Sequence, residues 1–186
     1  MARQARQGAP RRHRRTSDAA EIAWADGLGA TQPDGRDRRA AERVLVYWRE
    51  KLDALGEKAT IAALDLGHVH TEEWANRFLI SVDPVIERSA LLLYGPEFAR
   101  LVGLPAAPRT DLPLTRQLPL RHVDTFLRGC EEAAKTLQPV HLEGEIERAD
   151  GRLEQYRCVF IPVPVKHNSL TSLAFGAFSN RLVDKP

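Results

Sequence analysis

The stretch Val140-His141-Leu142-Glu143-Gly144-Glu145-Ile146-Glu147-Arg148 decides the fold, because apolar and polar residues alternate along it. Residues that alternate in this way point to opposite faces of a β-strand. The dipeptide Asp150-Gly151 follows and predicts a two-residue type I′ hairpin turn, which requires positive φ at both positions. The segment therefore predicts the first strand of an antiparallel hairpin.

The pattern continues on both sides of this strand. Residues 152–165 and 170–182 predict two further strands, and residues 120–137 predict a helix that precedes the hairpin. Residues 77–82 and 87–94 predict two earlier strands, separated from that helix by short helices and a loop with four prolines between 105 and 119. The expected fold class is α+β, with a five-stranded antiparallel sheet.

An amphipathic helix is predicted ahead of the sheet, over residues 37–56. Its apolar stripe is formed by Val44, Trp48, Leu52 and Leu55, which recur at spacings of four, four and three. A helix with such a stripe has to bury it against another element. We therefore expect it to pack on the domain that follows, over residues 57–183.

The charge distribution separates an N-terminal arm from the rest of the chain. Residues 1–15 hold six arginines and no acid, so 21 basic residues remain against 25 acidic ones and the remainder carries a net charge of −4. We expect residues 1–36 to form a disordered basic arm. Only this arm could bind nucleic acid or an acidic partner weakly; it could equally be a solvated tail or an over-extended start.

Several function classes find no support in the sequence. The two cysteines are not in a CxxC pattern, no apolar run is long enough to span a membrane, and no secretory leader is recognisable, so we expect a cytoplasmic protein. Nucleotide-binding glycine motifs, a GxSxG elbow and an HExxH motif are missing from the sequence. His68 and His70 lack a third metal ligand nearby. We therefore expect neither an enzyme nor a metal site.

Local sequence resembles the PAS family, in particular a group of PAS proteins common in alphaproteobacteria. The residues that carry this resemblance are Tyr47-Trp48-Arg49, Leu93-Tyr94-Gly95, Phe98 to Leu104, Tyr156-Arg157-Cys158-Val159-Phe160-Ile161-Pro162 and Phe175-Gly176-Ala177-Phe178. The resemblance implies helices across one face of the sheet and a last strand that pairs with the first. It also implies a sensory or regulatory role in bacterial signalling through protein–protein contact, tuned or not by a small ligand.

The same resemblance does not support a flavin or heme cofactor, and the sequence requires none. Light-sensing PAS domains carry a cysteine within Asn-Cys-Arg, whereas this chain has Gly129-Cys130-Glu131 inside the long helix. Heme-binding PAS domains use a histidine on the long helix, and His122 lies near its start. A ligand-binding role and a surface or helix-end position both stay open for His122.

Arg157 is a second candidate for ligand binding. With a two-residue turn, Gly144 would face Arg157 across the hairpin, and Arg157 would lie on the helix-covered face of the sheet. An arginine there needs a partner, because an unpaired buried charge costs several kcal/mol. The partner is an acid of the middle helices or the proline-rich loop, or water that the side chain reaches at the sheet edge, or the carboxylate or phosphate of a ligand between the sheet and the helices.

We also expect a symmetric homodimer. In this prediction Val44, Trp48 and Leu52 of the leading helix pack on an outer face of the hairpin formed by Tyr156, Cys158 and Phe160. The alternative function is a small-molecule enzyme or ligand-binding protein on a cone-shaped scaffold of the nuclear-transport-factor type. Strand order separates the two, because only the PAS arrangement pairs the last strand with the first.

Overall fold

The computed structural model describes residues 36–55, 61, 64, 66–163, 165 and 172–184. The predicted disordered arm therefore lies outside the described residues, except for Arg36. Among the described residues, no helix is both long and apolar enough to cross a membrane.

The order of elements follows the prediction closely. The helices are α1 (Arg36–Leu55), α2 (Pro96–Val102), α3 (Leu114–Gln117) and α4 (Leu120–Thr136), and the strands are β1 (Arg77–Val82), β2 (Ala90–Tyr94), β3 (Val140–Glu147), β4 (Leu153–Val163) and β5 (Ser172–Val183). Strand β2 begins three residues later than expected, because Ile86–Arg88 forms a 3₁₀ turn. Two further 3₁₀ turns, Leu66–His68 and Glu72–Trp74, lie between α1 and β1.

The five strands form one antiparallel sheet in the order β2-β1-β5-β4-β3. The last strand, β5, lies between β1 and β4 at the centre of the sheet. The predicted fold class is confirmed, including the pairing of the last strand with the first.

Helices α2, α3 and α4 lie on one face of the sheet, which we call the inner face. The space between is filled by the rings of five phenylalanines whose centroids lie 5.2 to 6.0 Å apart in the contacting pairs: Phe78, Phe98, Phe126, Phe160 and Phe178. Gly129 allows α4 to approach, since a Cβ atom there would lie 2.3 Å from the ring of Phe160. The inner core is thus packed aromatic against aromatic.

Helix α1 covers part of the opposite, outer face. Its residues Ala40, Val44 and Trp48 are buried, and the ring of Trp48 lies 6.4 Å from that of Phe175 on β5. Arg77 is also buried in this layer, with its guanidinium carbon 4.5 Å from the ring centroid of Tyr47. The stripe runs further than this contact, however, and its C-terminal members Leu52 and Leu55 are 38% and 43% exposed.

The β3–β4 turn differs from the prediction. The backbone N–H of Gly151 donates to the carbonyl of Arg148 at 2.9 Å, and the N–H of Arg148 donates to the carbonyl of Arg152 at 2.9 Å, so three residues form the loop. Only Gly151 has positive φ there, at 81°, which fits a type I turn followed by a left-handed glycine. The Asp150 carboxylate accepts bonds from both the backbone and the side chain of Arg152, and this holds Asp150 in its turn conformation.

The extra loop residue shifts the predicted register by one. Gly144 lies opposite Tyr156, Glu143 opposite Arg157, and Val140 opposite Phe160. A shift of one residue moves every side chain of a strand to the other face. The predicted inner position of Arg157 and the predicted outer position of Tyr156, Cys158 and Phe160 are therefore both wrong.

The two edges of the sheet are protected differently. At the β2 edge, the side-chain amide of Gln117 accepts from the N–H of Leu91 at 2.6 Å and donates to the carbonyl of Leu91 at 3.1 Å, as a neighbouring strand would. At the β3 edge, Glu143, Glu145 and Glu147 are exposed. Charged residues on an edge strand oppose pairing with another chain.

Candidate functional site

A cluster of charged side chains lies where α4 begins and β4 starts from the hairpin. Its centre is Glu154, a carboxylate with no exposed surface. Strand alternation places Glu154 on the inner face with Tyr156, and side chains from the first turn of α4 reach it there. We call this set the Glu154 cluster: Glu154, Arg121, His122, Arg148 and Asn180.

Each member of the Glu154 cluster approaches a defined oxygen. Arg121 Nε lies 3.3 Å from Glu154 Oε2, and Arg148 Nη1 lies 3.8 Å from the same oxygen. Asn180 Nδ2 donates to Glu154 Oε1 at 2.5 Å, and His122 Nε2 lies 3.4 Å from that oxygen. One carboxylate thus joins α4, the hairpin, β4 and β5.

The surroundings keep Glu154 ionised. Burial alone would raise the pKa of this carboxyl, but the contacts from His122 and Asn180 and the positive charge of Arg121 outweigh burial and lower the pKa to about 2. A carboxylate with that pKa is charged at neutral pH. It is held in place by its partners and has no exposed surface with which to meet a substrate.

His122 lies in the first turn of α4 and is completely buried, so the surface position considered for it is wrong. Its ring meets the ring of Phe178 edge to face at 5.4 Å. Neither ring nitrogen makes a hydrogen bond with the residues that the structure describes, and Nε2 faces Glu154 only at ion-pair distance, 3.4 Å.

A pocket of about 450 Å³ opens beside the Glu154 cluster, between the start of α4 and the β3–β4 turn. Its lining residues are Pro119, Leu120, Arg121, Glu147, Arg148, Ala149 and Asp150. Leu120 is 88% exposed, whereas the side chains of Arg121 and Arg148 are about one-third exposed. The two arginines therefore connect the pocket to the buried carboxylate.

The structure does not bring the predicted ligand-binding residues together. Arg157 is exposed on the outer face, and its Nε donates to Glu143 Oε2 at 3.0 Å. His122 is inside the domain, on the opposite side of the sheet. Arg157 thus has an acidic partner within the protein, but this partner lies on the neighbouring strand β3 at the surface, and not on the middle helices or the proline-rich loop.

The predicted packing residues are also divided between the two faces. Val44 and Trp48 lie in the outer layer, and Leu52 is exposed beyond it. Tyr156 and Phe160 lie in the inner core, where the hydroxyl of Thr125 donates to Tyr156 Oη at 3.1 Å. The outer-face residues of β4 that share a layer with α1 are instead Val159, Ile161 and Val163.

Glu154 was not singled out in the sequence, although the sequence contains a sign of it. Glu154 stands in strand alternation with Tyr156, Cys158 and Phe160, so it is an acid on an otherwise apolar strand face. The predicted hairpin register placed this strand face outward. Glu154 would then be exposed to solvent, and a solvated carboxylate needs no partner.

Other reactive groups give no second site in the described part of the chain. Cys130 and Cys158 are free and buried, and burial raises the pKa of both thiols. No group of three or more histidine, cysteine, aspartate or glutamate side chains is arranged to hold a metal ion among these residues. The Glu154 cluster and its pocket are therefore the candidate functional site.

Comparison with solved structures finds matches at low sequence identity. A domain of an HTR-like protein from Haloarcula marismortui is 15% identical, covers 56% of this chain and 96% of its own, and has a TM-score of 0.39. A PAS domain from Colwellia psychrerythraea is 13% identical, with coverage of 59% and 88% and a TM-score of 0.39. A fungal LOV domain photoreceptor is 15% identical, with coverage of 63% and 80% and the same TM-score.

The fold is PAS-like. The strand order and the placement of the helices on the sheet establish this. No protein-family model and no curated protein matches the sequence. Similarity at this level says nothing about which ligand or partner the chain takes.

Proposed function

We propose that this chain is a regulatory PAS-like module of a bacterial signalling pathway, which acts through protein–protein contact as a homodimer in the cytoplasm. The observation that carries the proposal is the unfinished apolar stripe of α1. Val44 and Trp48 are buried on the sheet, whereas Leu52 and Leu55 continue the same stripe and stay exposed. A second copy of the chain, meeting the same stripe about a two-fold axis, would bury them in a self-complementary contact.

The proposal treats the domain as non-catalytic. The only fully buried carboxylate among the described residues is Glu154, and its contacts are directed at side chains of the protein. The two thiols are buried and protonated at neutral pH. The pairing of β5 with β1 also favours a PAS-like module over the cone-shaped enzyme scaffold.

Native mass spectrometry of the purified full-length chain tests the proposal, because it reports oligomeric state and retained ligand together. We expect a dimer at tens of micromolar, and we expect Leu52→Ser combined with Leu55→Ser to shift the population to monomer. Val85→Ser is the matched control, since Val85 is 47% exposed but lies between β1 and β2, away from α1. A wild-type chain that is strictly monomeric at this concentration would overturn the dimer.

A further inference from the structure

Two positive charges in the pocket share a single negative partner. Arg121 and Arg148 both approach Glu154 Oε2, and no other carboxylate lies within ion-pair distance of either in the described residues. Arg121 also donates to the carbonyl of Val102 at 3.2 Å, so its position is fixed from two sides. The Glu154 cluster therefore carries an excess of positive charge towards the pocket.

Arg148 makes fewer and longer contacts within the protein than Arg121 does. Its closest acidic contact is 3.8 Å, and its guanidinium makes no hydrogen bond within the described residues. A guanidinium presents five N–H donors in a planar fork that fits a carboxylate in bidentate fashion. Arg148 thus has donors to offer at the wall of the pocket without breaking a short contact within the protein.

Asp150, one of the two acids that line the pocket, does not cancel this charge. Asp150 is bound by Arg152 through Nη2 at 2.7 Å and Nε at 3.0 Å, and hydrogen bonding from Arg152 lowers the pKa of Asp150. Glu147 also has a partner in the structure. Glu154 is behind the arginines, with no exposed surface of its own.

The remaining wall is apolar. Pro119, Leu120 and Ala149 line the pocket. Leu120 is the first residue of α4, and 88% of its surface is exposed. An exposed leucine is ordinary by itself. Next to a guanidinium with available donors, it gives the pocket one charged and one apolar side. A ligand that suits both sides carries an anionic group on an apolar body.

We propose that this pocket binds a small organic carboxylate, with the carboxylate on Arg148 and Arg121 and the apolar part against Leu120 and Pro119. Binding at this site does not depend on the proposed regulatory function, but the effect of binding described next does. A ligand that draws Arg148 or Arg121 away from Glu154 changes the link between the hairpin, α4 and β5, which is a change that the rest of the domain can register.

Benzoate is the probe for this site, with acetate as the same carboxylate lacking an apolar body and chloride as the baseline at equal ionic strength. We expect benzoate to raise the melting temperature of the full-length chain by about 3 °C at ten times its Kd, with a further rise that follows the logarithm of its concentration, and acetate to do less. Arg148→Met should weaken benzoate binding about 10- to 100-fold by isothermal titration. Leu120→Ser should remove the difference between benzoate and acetate.

Arg100→Met is the matched control, because Arg100 is exposed on α2 and pairs with Glu97 outside the pocket. It should bind benzoate as the wild type does. A wild type that shows no saturable benzoate binding by isothermal titration and no shift beyond the chloride baseline, or an Arg148→Met variant that binds unchanged, would overturn the site. Neither result bears on the proposed dimer, which is read from mass alone.

Discussion

Replacing Glu154 with glutamine tests the centre of the candidate site, because it keeps the shape of the side chain and removes its charge. The pKa of Glu154 is lowered from an ordinary value of 4.5 to about 2 in the folded protein. A change of one in a pKa corresponds to about 1.4 kcal/mol, so the lowered pKa would amount to about 3 kcal/mol of folding free energy at neutral pH. Because Arg121 and Arg148 are about one-third exposed and remain solvated in the variant, we expect about 2 kcal/mol.

The pH dependence follows from the direction in which the pKa moves. A carboxyl with a lowered pKa stabilises the folded state fully above its unfolded value, and this contribution is lost as the pH falls from about 4.5 towards 2. Glutamine does not titrate. The difference in unfolding free energy between the wild type and Glu154→Gln should therefore shrink steadily over that range.

Urea unfolding followed by circular dichroism, at pH 7, 4 and 3, measures both effects. Glu145→Gln is the matched control, because Glu145 is exposed on β3 and should change stability little at any of these pH values. If Glu154→Gln is as stable as the wild type at pH 7, or if the difference stays constant on acidification, Glu154 is not the ionised centre of the cluster.

Three further substitutions test the packing of the helices on the sheet and the protection of its β2 edge. Trp48→Ala should lower the unfolding free energy by about 3 kcal/mol, since it removes a large buried side chain that holds α1 on the sheet; equal stability in thermal unfolding would show that α1 is not docked there. Gly129→Ala should cost about 1 to 3 kcal/mol, because its Cβ would lie 2.3 Å from the ring of Phe160, and a variant that melts like the wild type would contradict this close approach. Gln117→Ala should cost about 1 to 3 kcal/mol and increase light scattering on mild heating, because it uncovers the backbone N–H and C=O of Leu91 at the sheet edge; an unchanged melting curve and unchanged scattering would argue against that role.

The sequence predicted the order and type of the elements because each depends on a local period. The alternation from Val140 to Glu147 and the stripe of α1 at helical spacing are both visible without tertiary information. The pairing of β5 with β1 came from the family resemblance. The sequence did not predict correctly which face of β4 points inward, because that face depends on the conformation of the β3–β4 turn.

The turn failed as a prediction for a definite reason. Asp150-Gly151 fits a two-residue turn, but it also fits the last two positions of a three-residue loop, where only the glycine needs positive φ. Bonds from Arg152 to the Asp150 carboxylate favour the second form. Since every side chain of β4 takes its face from this choice, Glu154 lies on the inner face and Arg157 on the outer face, the reverse of the predicted register.

The protection of the sheet edges restricts how this domain can assemble. At β2, a strand from another molecule would have to displace the side-chain amide of Gln117, which already binds both the N–H and the C=O of Leu91. Because Gln117 belongs to the same chain as Leu91, its effective concentration is high, and a higher concentration of the partner gives the partner little advantage. That barrier carries no charge and is insensitive to salt. The row of carboxylates along β3 works through charge, which salt screens. Extension of the sheet thus meets a different obstacle at each edge, and no single change of ionic conditions removes both.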